Sequence, residues 1–288
     1  MLRPREGHDQ RVIEATLAID PAPAQLRWLH DVFGNSVAVA TFDRRSDTLR
    51  FASTVRMEHA PVVGEEVEVE EYARLYPFTY ASEDMPDLLR SIERGHLDPW
   101  RKIDQWASRF VRRDGTTGTL AMLVEMTRTI RREFAYVPRA EKGTQTPLET
   151  LEKQRGTCRD FAVLMIEAAR ALGFAAHFVS GYVYDPGPDD GRDAATVGGG
   201  NTHAWVRIFL PGSGWVEFDP TNGIVGSGGL IRVAVARDPW HALPLSGTWT
   251  GFPASFVDMD LAVEITLDRP PQSPRPATAA SAAHFPPA

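Results

Sequence analysis

The fold of this chain is decided by residues 156–161, which read Gly-Thr-Cys-Arg-Asp-Phe and contain Cys158, the one cysteine in 288 residues. A glycine-led turn runs here directly into an amphipathic helical pattern that predicts Cys158 at a helix N-terminus. Free N–H groups and the positive end of the helix dipole favour a thiolate at that position and can hold an oxyanion. The stretch therefore indicates a nucleophile, with a buried small hydrophobic residue as the alternative interpretation.

A histidine and an acid follow the cysteine along the chain. His203 comes 45 residues after Cys158, within Thr-His-Ala-Trp at 202–205, and Asp219 comes 16 residues later, before Pro220. Thiol acyl transfer requires a cysteine, a histidine and an acid that the fold brings together. Taken singly, a strand histidine is more often a hydrogen-bonded or surface residue, and an aspartate before proline often starts a turn. Their conjunction with Cys158 favours a catalytic triad.

One hairpin decides whether that triad can form. Residues 175–184, 202–210 and 215–219 read as strands, and a Pro-Gly-Ser-Gly turn at 211–214 joins the last two. A connection with an odd number of residues places position 205 opposite position 219, so that His203 and Asp219 become diagonal neighbours on one face. An even connection places them on opposite faces. The triad hypothesis therefore predicts an odd connection or a bulge.

Five stretches between Phe134 and Asn222 together resemble the core of bacterial transglutaminase-like cysteine proteins. They read Gln-Thr-Pro (145–147), Gly-Thr-Cys-Arg-Asp-Phe (156–161), Val-Ser-Gly-Tyr (179–182), Thr-His-Ala-Trp (202–205) and Gly-Trp-Val-Glu-Phe-Asp-Pro-Thr-Asn (214–222). Upstream, Leu-Arg-Pro-Arg (2–5) and Asp-Val-Phe-Gly-Asn (31–35) resemble the β-rich N-terminal domain that accompanies this core. The resemblance covers most of the chain.

This resemblance implies an α+β fold with a papain-like or transglutaminase-like core, in which the nucleophile helix packs on an antiparallel sheet, preceded by a small β-rich domain. It implies Cys158 as nucleophile, His203 as general base and acid, and Asp219 as the group that orients the imidazole. The substrate stays open, because the family includes transamidases, peptidases and proteins of unassigned activity. Family members carry a further strand ahead of residues 2–5, so Met1 is expected to match an internal position beside an unpaired edge.

The resemblance, together with composition and periodicity, predicts four parts. They are a β-rich domain (1–80), a helical connector (81–117), a catalytic core with closing strands at 230–235 and 261–267 (118–268), and a disordered tail (269–288) rich in proline and alanine. Helices are expected near 85–94, 99–111 and 119–134, and a capping box at Thr-Pro-Leu-Glu, 146–149. The N-terminal domain is interpreted as a packing scaffold, with substrate or partner docking as the alternative.

Three further residues are candidates for the walls of the site. Gln145 is a candidate oxyanion donor beside the Cys158 N–H, with stabilisation of the turn as the alternative. Trp205 and Trp215 are candidate apolar walls, with core packing as the competing account. Asp160 is expected to cap the nucleophile helix, where its charge opposes the dipole, so that His203 supplies much of the thiol activation.

Two acidic segments do not have the spacing of a metal site. Residues 64–71 alternate glutamate with valine and predict a solvated edge strand. Residues 185–201 hold four aspartates at irregular spacing, followed by three glycines at 198–200 that indicate either a lid over the site or plain flexibility.

The overall composition narrows the class of function. A formal net charge of −7 without a basic stripe argues against nucleic acid, and no apolar run is long enough for a membrane span. The opening residues lack a signal-peptide core, and a free thiol suits a reducing cytoplasm. We predict thiol-dependent acyl transfer on peptide or protein amide bonds, by hydrolysis or transamidation and without a cofactor or metal. A non-enzymatic peptide- or protein-binding module is the alternative, and the oligomeric state is left open.

Overall fold

The computed structural model describes residues 1–62, 67–139, 143–184, 201–252 and 255–268. The predicted lid at 198–200, the aspartates between 185 and 200 and the predicted tail all lie outside these residues, as does part of the predicted acidic strand.

The N-terminal region consists of two antiparallel strand pairs. Its strands are β1 (Gln10–Asp20), β2 (Gln25–His30), β3 (Ser36–Thr41) and β4 (Arg50–His59). β1 pairs with β4, and β2 pairs with β3 across the turn at residues 31–35. Gly34 has a φ of 73° in that turn, a left-handed conformation that favours glycine. The β-rich character predicted from the turn clusters is confirmed.

The predicted acidic edge strand is wrong for its described part. Residues 67–70 form no strand, although the Glu70 N–H donates to the carbonyl of Pro211. Val67 and Val69 pack against the main core, so the alternating pattern reflects partial burial without a strand partner. Two short strands, β5 (Leu75–Tyr76) and β6 (Thr117–Gly118), pair with one another nearby.

Five α-helices follow within the described residues. They are α1 (Met85–Ile92), α2 (Lys102–Ser108), α3 (Thr119–Glu133), α4 (Pro147–Lys153) and α5 (Cys158–Ala171). The predicted capping box begins α4, where Thr146 and Glu149 exchange hydrogen bonds between side chain and backbone. The short parallel strands β7 (Ala135–Tyr136) and β8 (Arg155–Gly156) then bring the chain to the start of α5.

A five-stranded antiparallel sheet carries the second half of the chain. Its strands are β9 (Ala176–Val183), β10 (Thr202–Leu210), β11 (Gly214–Asp219), β12 (Ile224–Val225) and β13 (Leu230–Ala236), in the order β12-β11-β10-β9-β13. α5 shares the main core with Ala204, Val206 and Ile208 of β10. Trp205 lies in a second apolar cluster with Val179 and Val235. The α+β class with the nucleophile helix on an antiparallel sheet is confirmed.

The closing strand predicted at 261–267 is wrong. These residues form no strand, and Leu261 and Leu267 stay exposed. Alternation of apolar and polar residues shows that a segment suits a half-buried strand, but a strand also needs a sheet edge to pair with. The predicted strand at 230–235 is confirmed as β13, which pairs with β9.

Candidate active site

Cys158 is the first residue of α5, as the sequence predicts. Its side chain is buried and forms no disulfide. The helix start is fixed by Asp160, whose Oδ2 accepts hydrogen bonds from the Thr157 backbone N–H at 2.8 Å and from the Thr157 hydroxyl at 3.0 Å. This cap orients the first turn and the thiol that it carries.

The hairpin of β10 and β11 has the odd connection that the triad hypothesis requires. Leu210 pairs with Gly214, which leaves three residues, 211–213, in the connection. Val206 pairs with Phe218, so the register carried one step further sets Trp205 against Asp219. His203 and Asp219 are therefore diagonal neighbours on one face, and His203 Nε2 lies 2.8 Å from Asp219 Oδ2.

His203 has two distinct ring nitrogens in this arrangement. Its side chain is fully buried, and the Nε2–H donates to Asp219. Nδ1 is buried and has no hydrogen bond of ordinary geometry within the described part of the chain. Burial lowers the pKa of His203, but the Asp219 charge and hydrogen bond, together with the nearby Cys158 side chain, outweigh it and raise that pKa well above 6.5. Since Asp219 occupies Nε2, Nδ1 is the nitrogen left for the thiol.

Asp219 has hydrogen-bond partners besides His203. Its Oδ1 accepts the Thr221 N–H at 2.9 Å, and its Oδ2 accepts the Asn222 side-chain amide at 2.8 Å. Burial raises the pKa of Asp219, but the charge of His203 and these hydrogen bonds outweigh it and lower the pKa below its ordinary value. Asn222 was not among the predicted site residues, although in an Asp-Pro-Thr-Asn turn the aspartate is commonly capped by the residues that follow it.

Gln145 is placed differently from the predicted oxyanion donor. Its side-chain amide nitrogen donates to the Arg155 carbonyl at 3.1 Å and to Asp160 Oδ2 at 3.2 Å, so both amide hydrogens are engaged. Its backbone N–H also donates to Asp160 at 2.7 Å. The geometry corresponds to the alternative that Gln145 stabilises the turn. The cause is Asp160, a fully buried carboxylate that needs several donors.

Arg139, which the sequence analysis did not single out, is the counter-charge of Asp160. Its Nε and Nη2 lie 3.1 Å and 3.2 Å from the two carboxylate oxygens. This forked ion pair offsets the acidic charge that was expected to oppose the helix dipole beside Cys158. Arg139 and Asp160 are 21 positions apart in the sequence, so no local motif predicts this ion pair.

The two tryptophans lie at different ends of the hairpin. The Trp205 ring is fully buried beside His203, with centroids 6.0 Å apart and ring planes at 28°, so it both lines the histidine and fills the core. Trp215 is four residues from Asp219 along β11, about 13 Å at the usual strand rise. It stacks on His177 with centroids 4.2 Å apart. The structure therefore does not bring Trp215 to the triad, and the interpretation of Trp215 as a wall of the site is corrected.

Two models of known protein families match this chain, one over the core and one over the N-terminal region. Residues 104–220 match the model of the transglutaminase-like superfamily, and residues 1–58 match the bacterial transglutaminase-like N-terminal region. The chain therefore contains a transglutaminase-like core and a bacterial transglutaminase-like N-terminal region. Cys158, His203 and Asp219 all lie within the residues that match the transglutaminase-like model.

Among relatives, an uncharacterised protein of Mycobacterium leprae is 35% identical over 147 residues, which are 50% of this chain and 49% of that protein. This chain thus spans about half the length of that relative. An uncharacterised protein of Mycobacterium bovis is 29% identical over 284 residues, covering 91% of this chain and 84% of its own length.

A solved structure from Cytophaga hutchinsonii, described as that of a candidate cysteine protease, has a TM-score of 0.60 at 17% identity and covers 84% of this chain and 76% of that one. At this identity the likeness concerns the transglutaminase-like fold alone. In the described part of this chain, no helix is long and apolar enough to cross a membrane, and no three His, Cys, Asp or Glu side chains group as metal ligands.

Proposed function

We propose that this transglutaminase-like protein is a thiol-dependent acyl-transfer enzyme that acts on amide bonds of peptides or proteins, with Cys158, His203 and Asp219 as its triad. The observation that carries the proposal is the buried His203, whose Nε2 lies 2.8 Å from Asp219 while Nδ1 is left for the thiol at the start of α5. A nucleophile, a base and a group that orients the base form the minimal set for this chemistry.

In the proposed reaction, Nδ1 of His203 takes the proton of the Cys158 thiol, and the sulfur attacks the carbonyl carbon of the amide. The tetrahedral intermediate collapses as the C–N bond breaks, and the imidazolium gives its proton to the departing amine. The thioester left on Cys158 passes to water, which completes hydrolysis, or to an amine, which completes transamidation. Asp219 keeps the proton of neutral His203 on Nε2 and stabilises the imidazolium that forms.

The developing oxyanion has a donor in the backbone. A helix leaves its first N–H groups without intrahelical partners, and the Cys158 N–H at the start of α5 is one of them. Arg139 offsets the nearby Asp160 charge, which reduces the local repulsion of a developing anion. Of the two donors predicted from the sequence, the Cys158 N–H is the one we retain, because the side-chain donors of Gln145 are engaged elsewhere.

The experiment that tests this proposal is covalent labelling of the purified protein with an electrophilic activity probe, followed by a screen of glutamyl and peptide substrates with and without an amine acceptor. We expect a single label on Cys158 that is lost in Cys158→Ser. Product formed only with the amine identifies transamidation, and product formed without it identifies hydrolysis. An unlabelled, folded protein that binds peptides would instead support the non-enzymatic binding module.

We further propose that the protein works in the cytoplasm, because its single cysteine is a free thiol that a reducing compartment preserves. Cell fractionation with an antibody against the full chain checks this. Recovery of the protein in a periplasmic or secreted fraction contradicts it.

A further inference from the structure

Glu217 is a buried carboxylate that the triad does not use. It lies on β11, two residues before Asp219, and its side chain is 4% exposed. Burial raises the pKa of Glu217, partly countered by Arg232 and Arg207. A carboxylate in such a place costs stability unless its neighbours hold both oxygens, and each of its oxygens does have a separate partner.

The first oxygen connects Glu217 to the N-terminal region. Arg232 on β13 donates from Nη1 to Glu217 Oε1 at 3.0 Å. The same guanidinium donates to both oxygens of Asp9, at 2.7 Å and 2.6 Å. Asp9 is 4% exposed and lies just before β1, so a residue of the N-terminal region fixes the arginine that holds Glu217.

The second oxygen connects Glu217 to the wall of the site. Glu217 Oε2 accepts the indole N–H of Trp205, whose ring lies beside His203. The other edge of that indole is tightly packed, because a Cβ on Gly181 would meet Trp205 Cη2 at 2.6 Å. Trp205 is thus fixed at the indole nitrogen by Glu217 and at the six-membered ring by the backbone of β9.

From these contacts we infer that Glu217 is a positioning residue: with Arg232 and Asp9 it holds the Trp205 ring against His203, so the N-terminal region helps to set the catalytic histidine. The inference rests on the proposed function. Glu217 acts through orientation, because Asp219 is the charged group hydrogen-bonded to the ring. The contact of Asp9 with Arg232 also gives the N-terminal region a role beyond that of a packing scaffold.

The test measures iodoacetamide alkylation of Cys158 in the full chain, well below each variant's melting temperature. We expect Glu217→Ala and Trp205→Phe each to lower the rate about tenfold, within the range for residues that act on a site without touching the reacting groups. Glu217→Gln keeps an acceptor for the indole N–H and should recover much of the rate. Asp9→Asn should lower the rate less than Glu217→Ala, because Asp9 acts on Glu217 only through Arg232, two contacts further from Trp205.

A double variant separates positioning from general loss of stability. If Glu217 acts through Trp205, Glu217→Ala combined with Trp205→Phe should be no slower than the slower single variant, whereas independent effects multiply. The matched control is Glu167→Gln, since Glu167 is a buried carboxylate held by Arg94 and Arg170, and its hydrogen bonds within the described residues involve none of the triad. Glu167→Gln should lower the melting temperature and leave the alkylation rate unchanged.

Two outcomes overturn the inference, and they can be told apart. If wild-type Cys158 reacts no faster than a model thiol, the proposed function fails and the positioning role fails with it. Suppose instead that wild-type Cys158 reacts faster than a model thiol. If folded Glu217→Ala then keeps the full alkylation rate, or if the rate losses of Glu217→Ala and Trp205→Phe multiply in the double variant, only the positioning role of Glu217 is lost.

Discussion

Two buried histidines on neighbouring strands of one sheet have opposite properties. His203 on β10 donates to Asp219 and has a raised pKa. His177 on β9 is also buried, lies 2.7 Å from the Ser91 hydroxyl through Nε2, and has its pKa lowered to about 3. The lowering comes first from burial and then from cationic neighbours, with Arg207 foremost.

The difference shows that burial and a hydroxyl or thiol neighbour do not make a catalytic base. Ser91 and His177 have the spacing of a nucleophile and its base, but the second ring nitrogen of His177, Nδ1, lies 3.2 Å from Arg207 Nη2. The second ring nitrogen of His203, Nε2, lies instead beside the Asp219 carboxylate. A cation at that position disfavours the imidazolium that general-base catalysis must form. This contrast supports the proposal that the chemistry takes place at the His203 end of the sheet and that the His177 end has a structural role.

The largest effect is expected from Asp219→Asn. The substitution keeps the shape of the side chain but removes the charge that orients His203, so turnover on a substrate from the screen should fall by about 10²- to 10⁴-fold. Ser91→Ala, at the other histidine, should leave turnover nearly unchanged. A large loss in Ser91→Ala together with a small loss in Asp219→Asn would reverse the assignment of the two ends.

Gly181 provides the next test, because it pairs with His203 across β9 and β10. A Cβ there would meet the Ile231 carbonyl oxygen at 2.0 Å, and the strands would have to move apart. Gly181→Ala should lower the free energy of unfolding by about 3 kcal/mol, as overpacked cores do. Gly115→Ala, where a Cβ meets nothing within 4 Å, is the control in denaturant titration. Equal stability of the two variants would contradict the close approach at Gly181.

The two histidines also predict opposite dependences of stability on pH. The pKa of His203 is higher in the folded than in the unfolded chain, so its contribution is complete below 6.5 and is lost as pH rises through the folded value. The pKa of His177 is lower when folded, so its contribution is complete above 6.5 and is lost as pH falls towards about 3.

Each histidine should add a slope of up to about 1.4 kcal/mol per pH unit in its own window. Denaturant titrations over a pH series should show the alkaline slope reduced in His203→Gln and the acid slope reduced in His177→Gln. Slopes that do not change, or that change in the opposite windows, would mean that the two ring environments are assigned wrongly.

The smallest effect is expected outside both histidine sites. Residues 270–288 are rich in proline and alanine, a composition that buries little apolar surface, so their deletion should leave the melting temperature and the reactivity of Cys158 unchanged. Calorimetry and alkylation of the shortened chain check this. A clear drop in either quantity would show that the segment contributes to the fold or the site.

The sequence predicts best where structure is specified locally. The capping box at 146–149, the helix beginning at Cys158 and the odd connection at 211–213 each depend on a few adjacent residues, and all are present. The odd length of that connection is sufficient to place His203 and Asp219 on one face of the sheet. Alternation was less reliable, because the segments at 67–70 and 261–267 have the pattern of strands but pair with no strand in the described part of the chain.

Apart from the contact of Asn222 with Asp219, the contacts that the sequence did not predict are long-range pairs of charged residues. Asp160 with Arg139 and Glu217 with Arg232 involve partners 21 and 15 residues apart, and Arg232 with Asp9 spans 223 residues. Each charge taken alone has the ordinary interpretation of a solvated residue. Of the two roles predicted for Gln145, the structure shows the one in the turn, because Asp160, predicted only as a helix cap, also engages the Gln145 amide.

The most direct test of the triad is the rate of Cys158 alkylation by iodoacetamide in wild type, His203→Ala and His177→Ala at neutral pH. The small reagent suits a thiol that is only 7% exposed. We expect wild-type Cys158 to react well above the rate of a model thiol, His203→Ala to lose that excess, and His177→Ala to retain it while folded. A wild-type rate equal to that of free cysteine, unaffected by His203→Ala, would contradict the assignment of Cys158 and His203 as a catalytic pair.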